Sequence, residues 1–202
     1  MSGSKIAILI NTLRLGGAER ALTYLARGFG QQGYHVDFLV RDSSSGAYLR
    51  DLHHSTNLIY LPSSGPMKTR LYIASALPST ILTLPDLFFP GKTITSGFSV
   101  LPSVVSYLEE ERPSALLTTM PQNNILALWA KTIAGTSTRL VIREANLFSR
   151  SLQRAGHNRK GRLMRLAARW YEKADHIVAV CDGVGDDLAY TLEIPRERIR
   201  TI

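Results

Sequence analysis

Short, almost wholly apolar runs alternate along this chain with stretches whose apolar residues recur at helical spacing. Lys5 to Asn11, His35 to Val40, Asn57 to Leu61, Ser114 to Thr119, Thr138 to Arg143, His176 to Val180 and Arg198 to Ile202 read as strands. Apolar strands of this kind are expected where helices cover both faces of a parallel sheet. Between them, helices are expected near Gly17 to Gln32, Val100 to Glu111, Asn123 to Ala134, Gly161 to Ala174 and, after Cys181-Asp182-Gly183, through Leu192. In the first helix Ala18, Ala21, Leu22, Leu25, Ala26 and Phe29 form one stripe, and Gly33 is placed to end it. The alternation predicts an α/β fold, a Rossmann-like doubly wound parallel sheet in a single unit over 1–202.

In such a sheet ligands sit beyond the carboxyl ends of the strands. Four loops reach that edge: Asn11 to Gly17, Met120-Pro121-Gln122-Asn123, Glu144-Ala145-Asn146 and Cys181-Asp182-Gly183. Residues 63–93 break the alternation. Four prolines interrupt a segment rich in Leu, Ile and Phe, and it reads as an irregular apolar insertion. It could cover the sheet, line an apolar groove or rest on a bilayer surface.

Composition changes this picture at one place. Of 202 residues 45% are hydrophobic and 20% charged, an ordinary globular balance, yet the net charge is +8. Nearly all of the excess lies between Arg150 and Lys173, where eight basic residues accompany the single acid Glu172. The segment is either a solvated helix face or a contact for an anionic surface, with Arg162, Arg165 and Arg169 as the candidates. Aromatic residues for base stacking are limited there to Trp170 and Tyr171, so nucleic acid is not expected. The single cysteine, Cys181, excludes an internal disulfide and reads as a buried thiol in a reducing compartment. No signal peptide or uninterrupted membrane span is legible, which predicts a cytoplasmic or peripheral protein.

The most informative stretch is Asn11 to Arg20, where a strand passes through Gly16 and Gly17 into a helix. Backbone N–H groups and the helix dipole suit that turn to an anion, although a plain βα turn has the same composition. Gly-x-Gly-x-x-Gly is absent, as are Gly-Lys-Ser/Thr and Gly-x-Ser-x-Gly, so the dinucleotide, P-loop and hydrolase patterns fail. The five histidines show no metal spacing, and no metal or cofactor is expected. Glu19 in the first helical turn opposes the dipole, or orients Arg20 or a substrate hydroxyl.

Gly-Gly-Ala-Glu-Arg after an N-terminal strand, Arg-Glu-Ala-Asn at 143–146, and the stretch from Trp170 to Val184 together resemble the GT4 family of GT-B glycosyltransferases. The resemblance covers most of the chain and is poorest over 63–93. It implies the N-terminal, acceptor-side half of a two-domain enzyme that transfers a hexosyl group from a nucleotide-sugar to a glycan or polyprenyl-linked acceptor, with retention, in cell-envelope polysaccharide or glycolipid synthesis. The donor-binding half, with its paired glutamates, would be absent, and this half alone would be inactive. The resemblance places Gly16 and Gly17 near the donor diphosphate. Arg14, Arg20 and Arg143 could add positive charge there, and Glu19, Glu144, Asn123 and Asn146 could position acceptor hydroxyls. Two positions depart from the family pattern: Ala145 stands where a histidine is common, and Cys181 replaces a serine. The reading from another class is a non-catalytic nucleotide- or anion-binding module.

Overall fold

The computed structural model describes residues 4–14, 16–41, 52, 54–78, 97–154 and 156–202, without the side chains of 154, 156–160 and 162. Seven strands form one sheet: β1 Lys5–Ile10, β2 His35–Val40, β3 Thr56–Tyr60, β4 Ala115–Thr119, β5 Arg139–Glu144, β6 His176–Ala179 and β7 Ile199–Thr201. Their order is β3-β2-β1-β4-β5-β6-β7, and every pair is parallel. β1 is the central strand, buried from Ile6 to Ile10, with Ile8 in register with Phe38 on one side and Leu117 on the other. The strands thus lie within a residue or two of their sequence-based bounds, and the doubly wound parallel sheet is the one expected.

The helices are α1 Gly17–Gln31, α2 Pro66–Ala76, α3 Leu101–Glu111, α4 Pro121–Ala134, α5 Phe148–Arg154, α6 Gly156–Trp170 and α7 Asp182–Leu192. Strand alternation sends successive side chains of β1 to opposite faces. Ile8 and Ile10 join Phe38, Val40, Leu22 and Ala26 beneath α1. Ala7 and Leu9 join the larger core, which α2, α3, α4, α6 and α7 cover. Phe98, Trp129 and Trp170 make an aromatic column there, with ring centroids 4.5 and 6.2 Å apart. On the α1 face Leu117, Val141 and Val178 remain only half-buried.

Three local expectations need correction. The start of the 63–93 segment is not irregular: Pro66 opens α2, whose buried positions Thr69 and Ile73 are followed by buried Leu77. Proline at the first helical position costs nothing, because its missing N–H would be unpaired there anyway. Residues 79–96, with most of the apolar insertion, lie outside the described residues, as does the Ser-rich loop after Arg41. In α1, Leu25 is exposed, and the buried stripe is Leu22, Thr23, Ala26 and Gly30. The basic helix runs from Gly156 rather than Gly161, follows the separate short helix α5, and gives way at Tyr171–Lys173 to a 3-10 turn.

Candidate functional site

Because all strands are parallel, the four candidate loops stand at one edge of the sheet. The crossovers from β1 and β4 leave in opposite directions, so a crevice opens between those two strands. Gly16, on one wall, is extended (φ −169°) and caps α1, and its carbonyl accepts from Arg20 N at 3.0 Å. Glu19 folds back over this turn: a Cβ on Gly16 would stand 2.1 Å from its Oε2. The carboxylate therefore sits by the positive end of the helix dipole, and an anion arriving there meets it. Gly17 is exposed, and a Cβ there would meet nothing within 4 Å. The turn presents open backbone at Gly17 and a side chain across Gly16.

On the opposite wall Met120 ends β4 and caps α4 at φ 76°, ψ 135°, a backbone conformation that side chains rarely adopt. Strain of this sort clusters at functional sites and costs on the order of 1–3 kcal/mol. Sequence reasoning gave no warning of it. Asn123, proposed to meet an acceptor, is buried, and its Nδ2 donates to Thr119 O at 3.1 Å. Gln122 lies against Gly97 instead of the crevice.

Glu144 is likewise not open to a hydroxyl. It is 2% exposed on the α4 side of β5, and its Oε1 accepts from Tyr171 Oη at 2.5 Å and from Asn124 Nδ2 at 2.8 Å. Burial raises its pKa to about 7, against the lowering effect of the Tyr171 and Asn124 donors and the charge of Arg143. Burial first, then the Glu144 charge, keeps the Tyr171 phenol well above its ordinary value. Arg143 points to the other face, half-buried, with its Nη1 unpartnered and its pKa lowered by desolvation. Sequence reasoning missed Asn124 and Tyr171, which lie 20 and 27 residues from Glu144. The Asn123-Asn124 pair inside an apolar helix was the one available signal.

Asn146 is exposed and lines a cavity of about 280 Å³ with Ala145, Leu147, Arg150, Ser151 and Val184. Arg14 is exposed, and its amide donates to Thr12 Oγ1 at 3.5 Å. Arg20 lies along α1, its Nε donating to Tyr24 Oη at 3.3 Å and its guanidinium 5.4 Å from that ring. Arg165 and Arg169 are exposed on α6; the Arg162 side chain lies outside the described residues. Cys181 is exposed, not buried, because it is the extended residue capping α7. Behind it Arg196 holds Asp182 at 2.9 Å and Asp186 at 2.7 Å. Among the described residues no group of three or more His, Cys, Asp or Glu side chains is placed to hold a metal ion, and no helix is long and apolar enough to cross a membrane.

A doubly wound seven-stranded parallel sheet with its glycine turn at the switch point is a Rossmann-like fold. A family model agrees over residues 16–202: the chain belongs to the glycosyl transferase 4-like domain family. Among curated proteins none matches it by sequence. Several solved structures share the fold. Sucrose-phosphate synthase from Thermosynechococcus elongatus superposes with TM-score 0.63 at 14% identity, covering 98% of this chain and 47% of that one. Anabaena HepE in complex with UDP-glucose gives 0.62 at 15%, covering 98% and 43%. UDP-GlcNAc 2-epimerase from Methanocaldococcus jannaschii gives 0.57 at 10%, covering 98% and 45%. This chain therefore spans less than half the length of each of these solved proteins.

Proposed function

We propose that the chain forms the acceptor-side half of a retaining glycosyltransferase that moves a hexosyl group from a nucleotide-sugar to a glycan or lipid-linked acceptor of the cell envelope. The observation that carries this reading is the crevice at the β1/β4 switch point, bounded by open backbone at Gly17 and by the strained Met120. Transfer leaves a diphosphate on which negative charge develops, and backbone N–H groups fixed beforehand stabilise such charge without reorganising. Arg14, on the loop after β1, and Arg143, next to the last residue of β5, would add positive charge. No metal is assigned to this half. HepE, which shares the fold, was solved with UDP-glucose, and that supports a UDP-sugar as donor. The donor-binding groups are assigned to a second half, without which this one turns nothing over.

The test uses the full-length protein with UDP-glucose and a panel of glycan and polyprenyl phosphate acceptors. Gly17→Val should lower kcat/KM at least 100-fold while leaving the fold intact, because a side chain there meets open space. Wild-type turnover in that variant would remove the turn from the reaction. Conversion of the UDP-sugar with no new glycoside would point instead to the chemistry of the epimerase that shares this fold.

Peripheral attachment to the inner face of the cytoplasmic membrane belongs to the same proposal. Arg165 and Arg169 are exposed on α6, and Met67 and Leu71 are 66% and 63% exposed on α2. Flotation with anionic vesicles should fall when both arginines become Glu. Equal flotation of the two proteins would sink the membrane reading.

A further inference from the structure

The cavity beyond the carboxyl end of β5 has an imbalance of charge. Its walls come from the loop after Glu144 (Ala145, Asn146, Leu147), from α5 (Arg150, Ser151) and from the first turn of α7 (Val184). At about 280 Å³ it lies just below the ~300–1,000 Å³ range of drug-sized ligand pockets, which suits one sugar ring. Phe148 and Leu152, one turn apart, anchor α5 in the core, with Phe148 edge-on to Tyr171 at 5.9 Å. Two positions along from Phe148, Arg150 consequently turns outward. The amide of Ser149 donates to Asp187 Oδ2 at 3.0 Å, which fixes α5 against α7. The walls are thus set before any ligand arrives.

Arg150 makes no hydrogen bond or ion pair among the described residues, and no acid lines the cavity with it. The nearby acids of α7 are engaged elsewhere: Asp182 and Asp186 by Arg196, and Asp187 by the Ser149 amide. Asn146 also has no hydrogen-bond partner among the described residues. Ser151 Oγ donates to Leu147 O at 3.3 Å and keeps its lone pairs for an incoming donor. A guanidinium beside two short polar side chains in a ring-sized hollow matches an anionic group on a polyhydroxylated ring.

We infer that this cavity is a subsite for an acidic sugar: a pyranose-sized ring carrying phosphate or carboxylate, with the anion on Arg150 and ring hydroxyls on Asn146 and Ser151. It rests on the acceptor-side reading above and narrows the acceptor to an anionic one. Arg150 then selects the substrate, standing apart from the glycine turn where the donor diphosphate is placed.

The experiment titrates the full chain with glucose 6-phosphate, glucuronate, glucose and inorganic phosphate, following amide resonances and heats of binding. At least one acidic sugar should bind ten times more tightly than glucose and more tightly than phosphate, and move the Asn146 and Ser151 signals. Arg150→Gln should abolish that advantage and leave glucose binding unchanged. Arg150→Lys should keep part of it. Because Arg150 is exposed, circular dichroism of both variants should match the parent. Whichever of glucose 6-phosphate and glucuronate binds better identifies phosphate or carboxylate as the recognised group. Binding no tighter than that of glucose, an unaffected Arg150→Gln variant, or shifts confined to other parts of the chain would each overturn the subsite. Glycosyl transfer is read separately. Arg150-dependent binding without transfer would sink the transferase reading and keep the subsite, and transfer without it would do the reverse.

Discussion

Two buried carboxylates in this sheet are held almost alike, yet only one stands at the ligand edge. Asp37, 1% exposed in β2, accepts from Tyr107 Oη at 2.7 Å and from Asn57 Nδ2 at 3.0 Å. Glu144, 2% exposed at the end of β5, accepts from Tyr171 Oη and Asn124 Nδ2. Each thus has one phenol and one amide. The difference is a cation: Lys5 Nζ stands 3.5 Å from Asp37 and also pairs with Glu111, whereas among the described residues no ion pair within 4 Å reaches Glu144. Asp37 lies toward the amino ends of the strands and ties β1, β2, β3 and α3 together. Glu144 lies beneath the loop that carries Asn146. A buried carboxylate with a cation and two donors is a structural tie. With the donors alone it is poised to take up a proton near neutrality.

The largest expected effect breaks the tie at Asp37. Asp37→Ala leaves the Tyr107 hydroxyl and the Asn57 amide without their acceptor and Lys5 with Glu111 alone, and should cost about 3–4 kcal/mol. Urea denaturation measures it, and a loss under 1 kcal/mol would show that the cluster is incidental.

The same contrast explains what the sequence could reveal. Strands were legible because the α1 crossover and its fellows bury both sheet faces, leaving nearly unbroken apolar runs such as Ile6 to Ile10. The glycine turn was legible because Gly16 and Gly17 act locally, between one strand and one helix. α2 was not, because Met67 and Leu71 put apolar groups away from the stripe of Thr69 and Ile73 and so erase the helical period. Glu144 misled for a different reason. Just past the strand expected to end at Arg143 it reads as a loop residue open to an acceptor hydroxyl, but it is the last residue of β5, where alternation sends it and Arg143 to opposite faces. Its real partners come from α4 and from the turn after α6, and no spacing in the chain announces them.

Next in size is a pH dependence carried by Glu144. With a folded pKa of about 7 against 4.5 unfolded, the folded chain holds a proton that the unfolded chain has released. The stability so gained is full below pH 4.5 and is lost as pH rises through 7. In full it is about 3–4 kcal/mol, since each unit is worth ~1.4 kcal/mol, and about 2–3 kcal/mol of it is lost between pH 5 and 8.5. Denaturation midpoints between pH 5 and 8.5 should fall for the parent chain. For Glu144→Gln that component should vanish, because a neutral amide can still accept from Tyr171. A parallel decline in both proteins would assign the titration to another group.

The smallest effect sharpens the comparison most, because it makes the same change at both carboxylates. Tyr107→Phe and Tyr171→Phe each delete one buried hydroxyl donor, and each should cost about 1–2 kcal/mol at pH 5. Their pH profiles should then differ. The Tyr171 hydroxyl stabilises the ionised form of Glu144, so its removal raises the folded pKa further and moves the midpoint of the stability loss to higher pH. Tyr107→Phe touches Asp37 and leaves that midpoint where it was. Superimposable profiles in the two variants would mean that the Tyr171 hydrogen bond does not control the proton on Glu144. The loop beneath Asn146 would then be held by packing of Phe148 on Tyr171 rather than by the carboxylate.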